Sequence, residues 1–425
     1  MKTAPDYQPF SRADRSFLGA WWWTVDHGLL LAVFLLSVVG LAMVSTASPP
    51  VAMDLKLEEY YFLKRQFALL LPAMLVMLGV SMLAPRTIWR MCSIVFLLGI
   101  GAMILTLFVG EETKGARRWL PLLGMSLQPS EFVKPAFIVV AAWFMSLQKT
   151  PWGRIGASSR PILAKAFAPK DKAPMRNFTI VVVLYAFVIL LLMLQPDLGM
   201  SVVVTSVLAV QIFLAGMRLR YLAIMLLIAP VALGGAYFAH EHVRSRIDSF
   251  LFDESGGNYQ VKQSLAAFRN GGLTGTGPGQ GTVKYDLPDA HADFIFPVAG
   301  EEFGIVFVFF LMGLFLFVIL RGFGRLRQSQ DVFSVLAVGG LLTMFGLQAL
   351  IHMGSSVHLL PTKGMTMPFI SYGGSSLLSL GLAMGIILSL TRRQGGMRTP
   401  RPLNYRPSSR TDGIVHRKEP RESEE

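Results

Sequence analysis

Charge and cysteine are what this sequence has little of. Of its 425 residues only 15% are charged and one is a cysteine, Cys92, whereas 53% are hydrophobic. A lone cysteine excludes an internal disulfide and any CxxC zinc site, and its place in an apolar run reads as a buried thiol. The scarcity of charge excludes an ordinary soluble globular chain. Mean hydropathy is +0.52, an apolar surplus that needs lipid to cover it. Acidic residues are the minority, 26 against 39 Lys and Arg. In a soluble protein the net charge of +13 would raise nucleic acid as a partner; its confinement to particular loops points instead to a membrane and to no nucleic acid. HExxH and other metal-spaced patterns are missing from the seven histidines. His240 and His242, on either side of Glu241, read as interfacial. The pattern of a cleavable leader is also lacking, because the first apolar run follows a polar segment and is long enough to span a bilayer itself.

What is present is a series of ten long apolar runs, near 27–48, 66–84, 88–109, 131–147, 177–194, 198–216, 221–240, 303–320, 332–353 and 372–390. Each has the length of a spanning helix. The fifth and sixth, separated by Gln195, Pro196 and Asp197, also read as one broken helix. The expectation is an all-α polytopic membrane protein of about ten transmembrane helices. Its parts are a cytoplasmic segment over 1–26, a membrane domain over 27–391 with a large outer loop at 241–300, and a disordered basic cytoplasmic tail over 392–425. An N-terminus on the cytoplasmic side puts about two thirds of all Lys and Arg there, the bias that sets orientation. Trp21, Trp22 and Trp23 precede the first span, where indole rings anchor at the interface. The 40 glycines and 22 methionines suit close helix packing and adaptable apolar surfaces.

Four segments fall on the outer side: one after Ser48, then 110–130, 241–300 and 354–371. The long one carries Glu241, Asp248, Asp253, Glu254, Asp286, Asp289 and Asp293, with Glu301 and Glu302 near the start of the eighth span. Carboxylates beside a membrane are costly unless hydrated, paired or functional. In LPDAHADFIFPVAGEEFG, Asp293 lies between a polar stretch and an apolar helix start. It can take a proton from a sugar hydroxyl while Phe294, Ile295 and Phe296 limit water, or it can cap the helix. Glu301 and Glu302 can bind a cation, pair with Lys363 or line the helix start. Upstream, GGLTGTGPGQGTVK has Gly275, Gly277, Gly279 and Gly281 at alternate positions. Such a run can bring backbone amides to phosphate or form a flexible loop, and with no strand before it a dinucleotide site is excluded. In KGARRWLPLLGMSLQPSEFVK, Lys114, Arg117 and Arg118 are cations kept on the outer side against the bias, which suits an anionic lipid head or general lipid contact. Glu131 and Lys134, three residues apart, share a helix face and are expected to neutralise each other.

These motifs together resemble the SEDS family (shape, elongation, division and sporulation). The stretches that carry the likeness are GARRWL with SLQPSEFVK, QPDLG at 195–199, YQVKQSLAAFRNGGLTGTG from Tyr259, LPDAHADFIFPVAGEE, and LPTKGMTMPFISYGGSSLLS from Leu360, and the last of these leans to the division type over the elongation type. The resemblance implies ten transmembrane helices in the bacterial cytoplasmic membrane, at the division septum, and a peptidoglycan glycosyltransferase that polymerises lipid II, the undecaprenyl-pyrophosphate disaccharide-pentapeptide. It implies Asp293 as the catalytic aspartate and a class B penicillin-binding transpeptidase, with other divisome proteins, as partners. Lys114, Arg117, Arg118, Lys134 and Lys363, or a divalent cation such as Mg or Mn, would stabilise the leaving pyrophosphate. Glu131, Gln263, Ser264, Asp289, His291, Glu301, Glu302 and Ser371 are supporting positions within the matched motifs. The family commonly has Glu and Thr where this chain has Asp289 and Ala292. From the residues alone, a lipid flippase and a noncatalytic division scaffold are the rival readings.

Overall fold

The computed structural model describes residues 16–113, 116–122, 125–147, 176–216, 259–327, 329, 331–360 and 365–392, with a few isolated positions between 234 and 248. The seventh expected span, 221–240, falls almost wholly outside the described residues, as do residues 1–15 and the tail from 393. Eleven helices are described. They are α1 Phe17–Thr24, α2 His27–Asp54, α3 Tyr61–Ser81, α4 Pro85–Val109, α5 Pro129–Ser146, α6 Arg176–Leu194, α7 Leu198–Leu214, α8 Tyr259–Gly271, α9 Ile295–Leu326, α10 Val332–Ser356 and α11 Gly374–Leu390. Six of them are long and apolar enough to cross a membrane, and α7 and α11 are shorter apolar helices. The break at 195–197 separates α6 from α7, with Asp197 capping α7 by accepting from the Met200 amide, as an Asp at this position should.

Two expectations need correction in detail. The segment 110–130 is not loop: it folds as a three-stranded antiparallel sheet, β1 Glu111–Thr113, β2 Ala116–Leu122 and β3 Met125–Leu127, in that order. Its pairs include Glu112 with Arg117 and Leu120 with Leu127. Two-residue connections, each holding a glycine, favour such hairpins. The helix of the eighth span begins at Ile295 and not at 303, with a kink at Gly304, because the partners described below satisfy Glu301 and Glu302 inside its first part.

Contacts sort the bundle into two ends. At one end, Asp26 caps α2 and pairs with Arg321 and Arg325 near the close of α9. There the Trp21 indole donates to Ser81, and Ser389 and Arg392 donate to the Leu83 carbonyl. At the other end gather the sheet, the 195–197 turn, α8 and the segments 272–294 and 365–373, joined by bonds such as Arg118 to Gln195 and Tyr372 to His291. Between them α10 and α11 are buried on nearly every side, as apolar all-round sequences require.

Within the fourth outer segment, residues 365–371 are not at the surface. Met365, Met367, Phe369, Ile370 and Ser371 are all buried. The Phe369 carbonyl lies against Gly40 at the midpoint of α2, leaving no room for a Cβ, and the Phe369 ring packs toward Phe345 of α10. The segment therefore dips into the bundle as a re-entrant strap. Irregular backbone at that depth is tolerated only when protein satisfies its polar groups. Here Ile370 and Ser371 amides donate to the Met367 carbonyl, the Met367 amide to Ser371 Oγ at 2.9 Å, and His352 Nδ1 bonds the Met365 carbonyl at 2.7 Å.

Candidate functional site

Asp293 lies on a turn that is fixed from both sides. Asp289 adopts φ +54°, a left-handed conformation that Asp tolerates better than most residues, and its carbonyl accepts from the amides of Ala292 and Asp293 at 2.9 and 3.0 Å. The helix cap is Phe294, without a side-chain bond, so Asp293 stands one residue before the cap. Its side chain is half-buried. From the strap, Ser371 Oγ donates to the Ala292 carbonyl at 2.7 Å and the Tyr372 amide to the His291 carbonyl at 3.0 Å. Gln66 of α3 donates to the Ser371 carbonyl at 3.3 Å. Both peptide groups flanking the turn are thus held, and the carboxylate is presented from a preset backbone.

His291 packs between Phe62 and Tyr372, with ring centroids 4.2 and 5.2 Å away. Burial pushes its pKa down to about 4, against the opposing pull of Asp289. The ring is therefore neutral at neutral pH and fills space beside Asp293 as an uncharged aromatic wedge.

The two glutamates at 301 and 302 carry a different task from cation binding. Glu301 accepts from the Thr282 and Val283 amides at 2.8 Å each, the Lys284 amide at 3.2 Å, and Asn270 Nδ2 at 2.7 Å. Glu302 pairs with buried Lys284 at 2.7 Å, and Lys284 Nζ also donates to the Thr46 and Gly279 carbonyls. Gly304, φ +78°, interrupts α9. Across the interruption the Thr276 and Gly277 amides bond the carbonyls of Glu301 and Glu302, while the Ile305 amide bonds Gly272. The glycine-rich run is thus a wrap around the kink of α9. Its amides at 276, 277 and 282–284 serve the protein, and a phosphate-cradling role for them does not stand.

The remaining expected residues fall in four groups. Glu131 and Lys134 form a buried pair, 3.0 Å apart, on the first turns of α5, as their spacing implies. Arg118 donates to the Gln195 and Pro196 carbonyls and lies 3.9 Å from Asp197, so it braces the α6–α7 turn; Arg117 beside it on β2 is exposed. Ser264 of α8 donates to the Ser356 carbonyl at 2.5 Å, and Gln263 is half-buried next to it. Lys114 and Lys363 lie outside the described residues. The carboxylates that the sequence offers to a divalent cation are already engaged. Among the described residues no group of three or more His, Cys, Asp or Glu side chains gathers to hold a metal.

Sequence reasoning missed Lys284, Gln66 and His352. Each is a single polar residue whose partner lies far along the chain or on another element, so no local spacing marks it.

Comparison with known proteins adds the family. The model of the FtsW/RodA/SpoVE family, described as cell cycle protein, matches residues 27–395. A probable peptidoglycan glycosyltransferase FtsW of Caulobacter vibrioides (strain NA1000 / CB15N) is 38% identical over 388 residues, 91% of this chain and 94% of that protein. One of the same description from Geobacter metallireducens (strain ATCC 53774 / DSM 7210 / GS-15) is 36% identical, covering 87% of this chain and 96% of the other. Among solved structures, a chain of a peptidoglycan synthase complex that coordinates polymerization and crosslinking superposes with TM-score 0.69 at 24% identity, covering 87% of this chain and 98% of its own. The rod shape determining protein RodA of Thermus thermophilus superposes with TM-score 0.60 at 25% identity, covering 87% and 97%.

Proposed function

The chain belongs to the FtsW/RodA/SpoVE family of cell cycle proteins, and from that membership we propose that it is a division-type peptidoglycan glycosyltransferase acting on lipid II. The observation that carries the reading is Asp293: a half-buried carboxylate on a turn that two strap bonds hold at the mouth of the bundle. In this mechanism the carboxylate takes the proton of the 4-hydroxyl on the incoming GlcNAc. The oxygen forms a bond to C1 of the MurNAc at the lipid-linked end of the strand, with inversion, and the bond from C1 to pyrophosphate breaks. Undecaprenyl pyrophosphate leaves with its electron pair. Pyrophosphate needs no strong acid to depart, so one carboxylate suffices where hydrolases use two.

Lys114, Arg117 and Lys363 are assigned to the departing pyrophosphate, since planar or point cations stabilise charge as it develops. Arg118 and Lys134 are assigned to bracing, on the contacts given above. No step is routed through a metal.

The strap end of the bundle faces outward in this reading, with both termini cytoplasmic and the protein at the division septum. A class B penicillin-binding transpeptidase is the proposed partner, supported by the likeness in fold to a chain of a peptidoglycan synthase complex. The test is polymerisation of lipid II by purified protein with that partner. Asp293→Asn should lower the rate by roughly 10²–10⁴ while its melting temperature stays near that of the parent. Glycan strands made at the parental rate would reject the base assignment, and transbilayer movement of lipid II without polymer would replace the reading with a flippase.

A further inference from the structure

The mechanism above makes no use of His352, although it is buried in α10 at 1% exposure. We infer that His352 is a positioning residue for the proposed glycosyl transfer, acting on Asp293 through the strap of residues 365–372.

The chain of contacts is continuous. His352 Nδ1 lies 2.7 Å from the Met365 carbonyl. A carbonyl only accepts, so Nδ1 carries the proton and the bond has a fixed direction. Two residues on, the Met367 amide donates to Ser371 Oγ, which donates in turn to the Ala292 carbonyl at 2.7 Å. That carbonyl belongs to the peptide group whose nitrogen is Asp293 N, and the same nitrogen donates to Asp289 at 3.0 Å. One peptide plane thus links the strap to the base. His352 is itself well anchored, because Ser355 and Ser356 hydroxyls both donate to its carbonyl, at 2.9 Å each.

The strap is irregular backbone inside a bundle, where an unsatisfied carbonyl is costly. Without the His352 donor, the Met365 carbonyl would turn toward another partner and carry the first residues of the strap with it. The catalytic consequence is geometric, because small misplacements of a reacting group cost rate far more than they cost binding. Met365 and Met367 are packed at 3% and 0% exposure, so a shift at one end of the strap is passed along and not absorbed locally.

The inference rests on the polymerase reading, and the experiment keeps the two apart. Initial rates of lipid II polymerisation by the full chain with its partner are measured for His352→Leu, His352→Asn, Ser371→Ala, Ser371→Thr and the His352→Leu/Ser371→Ala double variant, with Asp293→Asn as reference. The Leu variant should lower kcat roughly ten- to a hundred-fold with KM for lipid II within about two-fold. Asn, whose amide places a donor near the position of Nδ1, should restore most of the rate, as should Thr at 371. Because both residues act through one strap, the double variant should fall no lower than the worse single variant. Parental kcat in His352→Leu, failure of Asn to rescue, or losses that multiply in the double variant would each overturn the inference while Asp293→Asn remained inactive. An active Asp293→Asn would overturn the polymerase reading itself.

Discussion

Adjacent glutamates at 301 and 302 show how the same side chain takes two roles one residue apart. Glu301 gathers three backbone amides and an asparagine, whereas Glu302 is matched by a single cation, Lys284, with both side chains at 3% exposure or less. Removing one partner of such a pair leaves an uncompensated charge in a dry site. Lys284→Met should therefore destabilise by about 3–5 kcal/mol, read as a lower melting temperature in detergent. Adding Glu302→Gln should recover most of that loss, and a double variant no better than the single would remove the ion pair as the cause. The Glu131–Lys134 pair was legible in the sequence because its members are three apart on one helix, where spacing alone makes them neighbours. Lys284 was not, since its partner lies 18 residues away across a wrap whose path no local pattern encodes. Asp293 was legible as a carboxylate at a helix start, but its place one residue before the cap depended on where α9 begins.

At the scale of elements, nine of the ten expected spans match described helices, because long apolar runs leave the backbone no other way to satisfy itself in lipid. The interruption of α9 was not foreseen. It needs Gly304 at φ +78°, where an added Cβ would run into the Leu273 carbonyl and the Gly275 amide. Gly304→Ala is expected to cost about 1–3 kcal/mol from backbone strain alone, with a further loss of polymerisation as the wrap over 272–286 is displaced from the start of α9. Melting and activity of that variant, set beside Gly313→Ala in the open middle of the same helix, measure the effect; equal behaviour of the two would dismiss it. The small sheet and the re-entrant strap also escaped the sequence. β2 is a short run whose pairing depends on its neighbours, and the apolar character of 365–371 is shared by a loop that lies on a surface and one that enters a core.

At the scale of the molecule, the two ends differ in chemistry. Arg86 and Arg90 join Arg321, Arg325 and Arg392 at the end that carries Asp26, and the proposed topology, which follows the positive-inside bias, has that end in the cytoplasm. Cys92 is fully buried, so single cysteines report orientation against a low background. Lys64→Cys, at a position 64% exposed, should react with an impermeant maleimide in intact spheroplasts, and Arg86→Cys only after permeabilisation; the reverse pattern would invert the topology. Asp26 clamps that same end. Burial pushes its carboxyl up, but bonds from Arg321, the Leu29 amide and Arg325 outweigh this and hold it below its ordinary 3.8. As pH falls the unfolded chain binds the proton first. The stabilisation is thus complete above the unfolded value and disappears as pH drops through the lower folded one. Melting temperature should decline over that acid range, and Asp26→Asn should flatten the decline. Membrane class and nine of the apolar helices followed from the sequence by itself, because the length and apolarity that burial in lipid demands are properties of composition along the chain. What only the tertiary structure decided is which polar groups meet: the strap on the carbonyls of His291 and Ala292, Lys284 on Glu302, Arg118 on the 195–197 turn. These pairings join residues distant in sequence, and direction and distance between such groups exist only once the helices have packed.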